Sequence, residues 1–179
     1  MRKTLVLSGI KHCGKTTLGS MLADRRGCAW YDLDQLIMNR PAANHYPTLR
    51  EFYRTEGVEK FRELETESLK DILNRFNPGT TQAVISLGGG TVENEEAMNI
   101  LREEGSIVYL SVPEETLYER IMAGGRPPFL SEETPREDFH EVYLRRDALN
   151  REMADLIVNL NESDAEGNLQ IIWDYISGE

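Results

Sequence analysis

Hydrophobic residues divide the chain into short apolar runs and longer stretches with helical spacing. The short runs predict five β-strands, at residues 4–8, 28–31, 83–87, 106–111 and 156–159. Between these runs the apolar residues recur every three or four positions, which predicts amphipathic helices. Apolar strands that alternate with helices are typical of an α/β fold. The pattern therefore predicts a doubly wound, five-stranded parallel sheet covered by helices.

The predicted helices have recognisable starts and breaks. The first begins after the first strand, and its residues Leu18, Met21 and Leu22 share one face. A longer helical stretch runs from Leu49 to about residue 76, with a break near Gly57. Four further helices are predicted at about 94–103, after Pro113, after Thr134 and after Ser163, the last two opened by capping boxes at 134–137 and 163–166.

One predicted helix carries an arginine on its apolar face. On a helical wheel Phe139, Leu149 and Arg146 lie on the same side, whereas Arg145 points outside it. A guanidinium that points inward requires an anionic partner. The sequence leaves two partners open, a carboxylate or phosphate of a ligand, or an acidic residue of the chain itself.

The first strand and the first helix enclose the pattern G-x-x-x-x-G-K-[ST], from Gly9 to Thr16. This spacing is typical of a phosphate loop, in which backbone N–H groups surround a phosphate. Gly9 and Gly14 allow a close approach that a side chain would block, and the following helix offers the positive end of its dipole. We expect Lys15 to reach the terminal phosphates and the Thr16 hydroxyl to bind magnesium.

Two acidic residues, Asp32 and Asp34, follow the second predicted strand. In parallel sheets, ligands gather at the carboxyl ends of the strands. Alone, the pair would favour a solvated turn or a helix cap. Beside a phosphate loop, it favours a magnesium ligand and a carboxylate that orients or deprotonates an attacking hydroxyl.

Two glycine-rich segments add to the candidate chemistry. The run Gly88–Gly90 follows a predicted central strand, where missing side chains would let a ligand approach the backbone, although a plain tight turn is the alternative. The segment 123–130 is hinged by glycines, stiffened by prolines and centred on Arg126. We expect a lid at about residues 122–135 that closes over bound nucleotide and brings positive charge to the migrating phosphoryl group.

Composition narrows the class of protein. With 179 residues the chain suits one domain, residues 1–179, and its net charge of -11 argues against a nucleic-acid groove or an anionic membrane surface as partner. Two cysteines make no disulfide framework, no apolar run approaches a membrane span, and Gly9 and Lys11 interrupt the apolar start that a signal peptide would need. We therefore expect a cytoplasmic protein that acts on a small molecule. A monomer is a separate expectation, since composition says nothing of the oligomeric state.

Taken together and in this order, the motifs resemble those of the shikimate kinases, in the nucleoside-monophosphate-kinase-like branch of phosphate-loop enzymes. The resemblance covers about residues 3–160. The motifs that carry it are the phosphate loop, Asp32-Leu33-Asp34, Phe61-Arg62-Glu63-Leu64-Glu65, Ser86-Leu87-Gly88-Gly89-Gly90, Arg126-Pro127, and Arg146 before Asn150-Arg151-Glu152. Only the phosphate loop is generic, and the ordered set is specific to the family.

The resemblance implies an ATP-dependent kinase that phosphorylates the 3-hydroxyl of shikimate in aromatic amino-acid (chorismate) biosynthesis. ATP and Mg²⁺ would be its cofactors, with Thr16 and Asp32 as metal ligands. The implied catalytic residues are Asp34, Lys15 and Arg126. The implied nucleotide-binding residues are Gly9, Lys11, His12, Cys13, Gly14, Lys15, Thr16, Thr17, Arg120 and Arg126, with Arg120 against the adenine.

The resemblance also implies a shikimate site. Its residues would be Asp34, Arg62, Gly88, Gly89, Gly90 and Arg146. The two arginines would bind the carboxylate of shikimate, and Asp34 would bind its hydroxyls. A helical insertion at about residues 33–76 would form part of this site.

Three features depart from the family pattern. His12 stands where the family usually has glycine, Asn150 replaces the tyrosine usual four residues after the carboxylate-binding arginine, and the loop at 40–48 is longer than typical. Two alternatives remain open: a related kinase acting on gluconate or a nucleoside monophosphate, and a nucleotide-binding regulatory module that has lost turnover. The module is disfavoured by four retained residues, Lys15, Thr16, Asp32 and Asp34. A signalling GTPase is disfavoured because no N-K-x-D motif is present.

Overall fold

The computed structural model describes residues 4–76, 82–127, 130–160 and 164–178. Within these ranges the strands are β1 (Thr4–Ser8), β2 (Ala29–Asp32), β3 (Ala83–Ser86), β4 (Ser106–Ser111) and β5 (Leu156–Asn159). The helices are α1 (Lys15–Arg26), α2 (Leu33–Met38), α3 (Leu49–Leu73), α4 (Glu95–Glu104), α5 (Glu114–Ala123), α6 (Pro135–Met153) and α7 (Ala165–Ser177). A short 3-10 helix, Thr91–Glu93, follows β3.

The strands form one sheet in the order β2-β3-β1-β4-β5, and every neighbouring pair is parallel. Side chains of β1 alternate between two cores, since Leu5 and Leu7 pack in one hydrophobic cluster and Val6 packs in the other. Helices cover both faces of the sheet. The predicted doubly wound, five-stranded parallel sheet is confirmed.

The central strands bring three loops to one edge of the sheet. The phosphate loop follows β1, the glycine run follows β3, and Asp32 ends β2. Since β3 lies between β1 and β2, these carboxyl ends are adjacent. Such an edge, where the chain winds in two directions, is where open α/β sheets bind their ligands.

Most element boundaries agree with the sequence within one or two residues. Strand β2 is displaced by one residue from the predicted range, because Asp32 still pairs with Ser86 of β3 while Cys28 does not enter the ladder. The break in α3 lies at Gly57 as predicted, where φ is 84° and ψ is 175°. Among the residues that the structure describes, no helix combines the length and hydropathy that crossing a bilayer requires.

The helices α6 and α7 begin where the two predicted capping boxes lie, but the capping contacts differ from the prediction. Thr134 precedes α6, but its hydroxyl makes no capping bond and instead donates to Asp138 Oδ1 at 3.1 Å, so that prediction is wrong. Pro135 does occupy the first turn of α6, as predicted. Ser163 lies outside the described residues, and α7 is capped by Asp164, which accepts from the backbone N–H of Gly167 at 2.7 Å.

Candidate active site

The phosphate loop wraps around the ammonium group of its own lysine. Lys15 is buried, and its Nζ donates to the carbonyls of Gly9 at 2.8 Å and Ile10 at 3.0 Å. Gly9 has a φ of 151°, and a Cβ there would lie 2.7 Å from Cys13 Sγ and 2.9 Å from the carbonyl oxygen of Leu110. Only glycine fits this turn, which explains why the motif begins with one.

His12 adopts the backbone angle that favours glycine. Its φ is 65°, and among the described residues it alone is a non-glycine with positive φ. Its carbonyl accepts from Arg120 Nη1 at 3.3 Å. Burial and the nearby charges of Lys11, Lys15 and Arg120 lower the pKa of its imidazole, so the ring is neutral at neutral pH.

Thr16 and Asp32 contact each other directly. The hydroxyl of Thr16 donates to Asp32 Oδ2 at 2.8 Å, while Asp32 Oδ1 accepts from the backbone N–H of Gln35 at 3.2 Å and caps α2. The helix-cap interpretation of Asp32 is therefore correct, and it coexists with a position beside the phosphate loop. A hydroxyl and a carboxylate at this spacing are the oxygen donors that a hard divalent cation prefers.

A cavity of about 350 Å³ opens beside the phosphate loop. It lies between that loop, α2, α3, the glycine run and α6. The predicted acceptor-site residues that line it are Asp34, Arg62, Gly88, Gly89, Gly90 and Arg146. Residues far apart in sequence thus meet at one site.

Close packing explains the three consecutive glycines. A Cβ at Gly88 would lie 2.7 Å from Asp34 Oδ1, one at Gly89 would lie 2.8 Å from the backbone nitrogen of Lys11, and one at Gly90 would lie 3.1 Å from Arg146 Nη2. None of the three has a positive φ. Glycine is therefore required at Gly89, where a Cβ would meet backbone, whereas at Gly88 and Gly90 a Cβ would crowd the side chains of Asp34 and Arg146. Residues 89 and 90 also form a turn, so the turn interpretation holds beside the close packing.

The surroundings of Asp34 disfavour the ionised form of its carboxyl group. Burial and the neighbouring Asp32 raise the pKa of its carboxyl, and Lys15 and Lys11 oppose this shift only in part. A carboxylate whose pKa is raised is a better proton acceptor than an ordinary aspartate. Its place on the cavity wall is where such a group could act on a ligand hydroxyl.

The inward-pointing arginine of α6 has a partner within the chain, Glu93. Arg146 Nη2 and Nε donate to Glu93 Oε2 at 2.8 and 3.1 Å, and Arg145 Nε donates to Oε1 at 2.7 Å. Burial raises the pKa of Glu93, but the two arginines outweigh this and the net pKa is lowered. The internal ion pair that the sequence left open is therefore present, and Arg146 also faces the cavity.

A hydrogen-bonded network behind Arg62 was not predicted. Glu65 is buried on the apolar arc of α3, where its carboxylate accepts from Thr91 Oγ1 at 2.7 Å and Asn94 Nδ2 at 3.0 Å. Asn94 also donates to the carbonyl of Arg62 at 3.0 Å. Burial raises the pKa of Glu65, and these hydrogen bonds counter that shift. The sequence signal of this network was an acidic residue at helical spacing from Phe61 and Ile72 of α3.

Asn150 joins the end of β1 to α6. It is buried, its side-chain oxygen accepts from the hydroxyl of Ser8, and its Nδ2 donates to the carbonyl of Arg146 at 2.7 Å. Asn150 thereby fixes the turn of α6 that carries Arg146. The sequence marked this residue only as a departure from the family pattern.

The nucleotide side has a second, smaller cavity of about 160 Å³. Its lining residues are Cys13, Val112, Pro113, Thr116, Arg120, Leu160 and Asn168. Cys13 and Arg120, two of the predicted nucleotide-binding residues, therefore share one cavity, whereas Thr17 is exposed and the side chain of Lys11 lines the larger cavity. Arg126 of the predicted lid pairs with Glu132 at 2.6 Å, and the lid residues 128 and 129 lie outside the described ranges.

Comparison with known proteins agrees with this geometry. The family model described as shikimate kinase matches residues 11–176, which is most of the chain. The chain belongs to the shikimate kinase family. A shikimate kinase of Neisseria gonorrhoeae is 37% identical over 154 residues, which cover 86% of this chain and 85% of that protein. One from Dechloromonas aromatica is 34% identical over 171 residues, covering 96% and 88%.

Solved structures from the family have the same fold. A shikimate kinase from Acinetobacter baumannii, solved in complex with shikimate, superposes with a TM-score of 0.85 at 28% identity and covers 99% of this chain and 94% of its own. The shikimate kinase from Bacteroides thetaiotaomicron gives a TM-score of 0.77 at 28% identity, covering 97% and 98%. The phosphate-loop kinase fold expected from the motifs is therefore shared along nearly the whole chain.

Proposed function

We propose that the protein transfers the γ-phosphoryl group of ATP to the 3-hydroxyl of shikimate, a step of aromatic amino-acid (chorismate) biosynthesis. The observation that carries the proposal is a single cavity in which Asp34, Arg62 and Arg146 converge beside the phosphate loop. Two arginines suit a carboxylate, and an aspartate of raised pKa suits a hydroxyl. Membership of the shikimate kinase family supports the same acceptor.

On the acceptor side, the proposed roles follow from position. Arg62 and Arg146 bind the carboxylate of shikimate, and the glycine run lets its ring lie against backbone. Asp34 accepts a hydrogen bond from the 3-hydroxyl, orients its oxygen toward the phosphate loop and takes its proton as the bond to phosphorus forms.

On the donor side, the loop from Gly9 to Thr17 surrounds the phosphates, and Arg120 lies against the adenine. The Lys15 ammonium now rests on loop carbonyls. With nucleotide bound it stabilises the charge that develops on the transferring phosphoryl group. Arg126 acts on the same phosphoryl group once the lid closes. For this, Arg126 must leave its ion pair with Glu132 and bind phosphate instead.

Magnesium is the proposed metal. Thr16 and Asp32 present a hydroxyl and a carboxylate oxygen in contact, which fits a cation that takes most of its remaining ligands from phosphates and water. Within the described residues no group of three or more His, Cys, Asp or Glu side chains could hold a metal ion. The ion would supply charge neutralisation at the phosphates.

The remaining expectations belong to the same proposal. One domain, residues 1–179, acts as a monomeric cytoplasmic enzyme without nucleic-acid or membrane partners. A helical region at about 33–76 binds the acceptor, and a lid at about 122–135 covers the nucleotide.

A coupled assay of ADP release tests the proposal across shikimate, gluconate and nucleoside monophosphates. Shikimate should stimulate ATP turnover, and the other acceptors should not. The Lys15→Ala variant should lose transfer while keeping its far-UV circular dichroism spectrum, because Lys15 acts on phosphate charge. Equal ATP turnover with and without shikimate would refute the function.

A further inference from the structure

Two cationic side chains on the wall of the large cavity have no role in the reaction described above, although the backbone of one of them belongs to the loop around the phosphates. Lys11 belongs to the phosphate loop, and Arg50 lies in the first turn of α3. Within the described parts of the chain, neither forms an ion pair or a side-chain hydrogen bond. The chain has 31 acidic and only 20 Lys and Arg residues, so two such cations facing one cavity are unexpected on composition alone.

The two charges are close enough to oppose one another. Burial lowers the pKa of Lys11, and the charge of Arg50 is the next cause, ahead of any other charged group. The backbone of Lys11 is held against the glycine run, because a Cβ at Gly89 would lie 2.8 Å from its nitrogen and 3.0 Å from its Cα. Both residues line the cavity and are exposed, so they lie on its solvent side, which we call its mouth. Like charges kept together there favour an anion between them.

The proposed substrate leaves this charge unused. Shikimate carries one carboxylate, and Arg62 and Arg146 are already assigned to it. The reaction adds a phosphate to a hydroxyl beside Asp34, and a phosphomonoester carries about -1.5 to -2 charges at neutral pH. Lys11 and Asp34 line the same cavity, which places the positive charge of Lys11 on the side of that hydroxyl.

We propose that Lys11 and Arg50 form an anion subsite that binds the phosphate dianion of the phosphorylated product at the mouth of the acceptor cavity. The proposal rests on the proposed function, because that function supplies the phosphomonoester. The same chemistry would accept free inorganic phosphate, and the two sources can be separated by experiment.

Calorimetric titration without nucleotide tests the subsite with two ligands, shikimate and shikimate 3-phosphate. The variants are Arg50→Gln, Lys11→Gln and both together. Wild type should prefer the phosphorylated ligand. The double variant should lose about tenfold of that preference, as expected when two charge-assisted contacts to a phosphate are removed. Arg50→Gln lies outside the phosphate loop, so it reports on the subsite even if Lys11→Gln disturbs the loop.

Arg54→Gln is the matched control. Arg54 is exposed, lies one helical turn after Arg50 and does not line the cavity, so its loss changes the net charge by the same amount. It should change the preference by less than about twofold, as for an ordinary surface charge. If the control and Arg50→Gln behave alike, or if both ligands weaken equally, the subsite does not exist.

Phosphorus NMR of inorganic phosphate is a second test of the subsite, and it does not depend on whether shikimate is the acceptor. Line broadening that wild type shows and the double variant lacks supports the subsite. It also shows that free inorganic phosphate binds there, in addition to the phosphorylated product. Because the phosphate loop itself binds phosphate, ADP and Mg²⁺ are present to fill that loop, and broadening that then persists in the double variant overturns the subsite. If wild type neither binds nor turns over shikimate, the proposed function fails. Even in that case, phosphate broadening in wild type that the double variant lacks would support the anion subsite. Absence of phosphate broadening in wild type would refute the subsite.

Discussion

Arg145 and Arg146 are neighbours in sequence with different surroundings. The side chain of Arg146 is 15% exposed and faces the cavity, whereas that of Arg145 is 55% exposed and only reaches Glu93. We predict that Arg146→Lys, which keeps the charge and loses the planar fork, weakens shikimate binding about tenfold to hundredfold, from the roughly 1.5–3 kcal/mol of a charged hydrogen bond. Calorimetry with shikimate measures this loss, and ATP affinity should change little.

Arg145→Lys is the control for that prediction. An exposed charge contributes little, so shikimate affinity should change by less than about threefold. Should the Arg145 variant bind shikimate more weakly than the Arg146 variant, the site assignment on α6 would be wrong.

The positive φ of His12 leads to a prediction about the phosphate loop. A left-handed conformation costs a non-glycine residue about 1–2 kcal/mol, whereas glycine adopts it freely. We expect His12→Gly to leave kinase turnover equal or higher, because the carbonyl that Arg120 contacts is retained. His12→Val should lower turnover, since a branched side chain resists this φ. A large loss in the glycine variant would instead show that the imidazole has a role of its own.

The raised pKa of Asp34 links catalysis to stability. Between the ordinary pKa of aspartate and its raised folded value, the native state keeps a proton that the unfolded chain releases, so stability falls as pH rises through that window. At neutral pH, which lies above the ordinary pKa of aspartate, the raised pKa of Asp34 therefore lowers the free energy of unfolding. Asp34→Asn should raise the free energy of unfolding at pH 7 and reduce turnover by about a hundredfold to ten-thousandfold, the range for a lost general base.

Urea denaturation at pH 7 and in acid measures the stability effect. The gain of Asp34→Asn should shrink in acid, where wild-type Asp34 is protonated. Asp24→Asn, an exposed position on α1, should show neither effect. A destabilised Asp34→Asn at pH 7 would contradict the electrostatic account.

At the level of elements, Asn150 is the tie between β1 and α6. Its two hydrogen bonds join the Ser8 hydroxyl to the carbonyl of Arg146 in a buried position. We predict that Asn150→Ala lowers the free energy of unfolding by about 1–3 kcal/mol, because it leaves buried polar groups without partners. Denaturant titration measures the loss. Leu144→Ala, at an exposed site on the same helix, should stay within about 0.5 kcal/mol of wild type.

The elements themselves could be predicted because their signals are local. Apolar runs marked every strand, and the break at Gly57 followed from one residue. The wheel of α6 separated Arg146 from Arg145 correctly. The capping box at Thr134 failed because Asp138 and Ser131 offered competing partners for the same groups.

The contacts that the sequence did not reveal join distant segments. Glu93 meets Arg146 only because the 3-10 helix after β3 lies against α6, 53 positions away along the chain. The ties of Glu65 to Asn94 and of Ser8 to Asn150 have the same character. Such pairs depend on tertiary packing, which periodicity and spacing do not encode.

At the scale of the whole molecule, the acceptor cavity is lined by elements that come from several different parts of the chain. Its wall combines the phosphate loop, both helices that follow β2, the glycine run and α6. A ligand that binds all of them stabilises the folded state by mass action. At about 100 times its dissociation constant, this stabilisation is roughly 2.7 kcal/mol.

We therefore predict that shikimate at that concentration raises the thermal midpoint by roughly 5–10 °C, from about 2–4 °C per kcal/mol for a domain of this size. Differential scanning calorimetry measures the shift, with gluconate as the matched small acid that should give almost none. In Arg146→Lys, the same shikimate concentration should give a smaller shift, because fewer contacts across the cavity survive. A midpoint that rises with ATP but never with shikimate would leave the nucleotide site intact and exclude this cavity as the acceptor site.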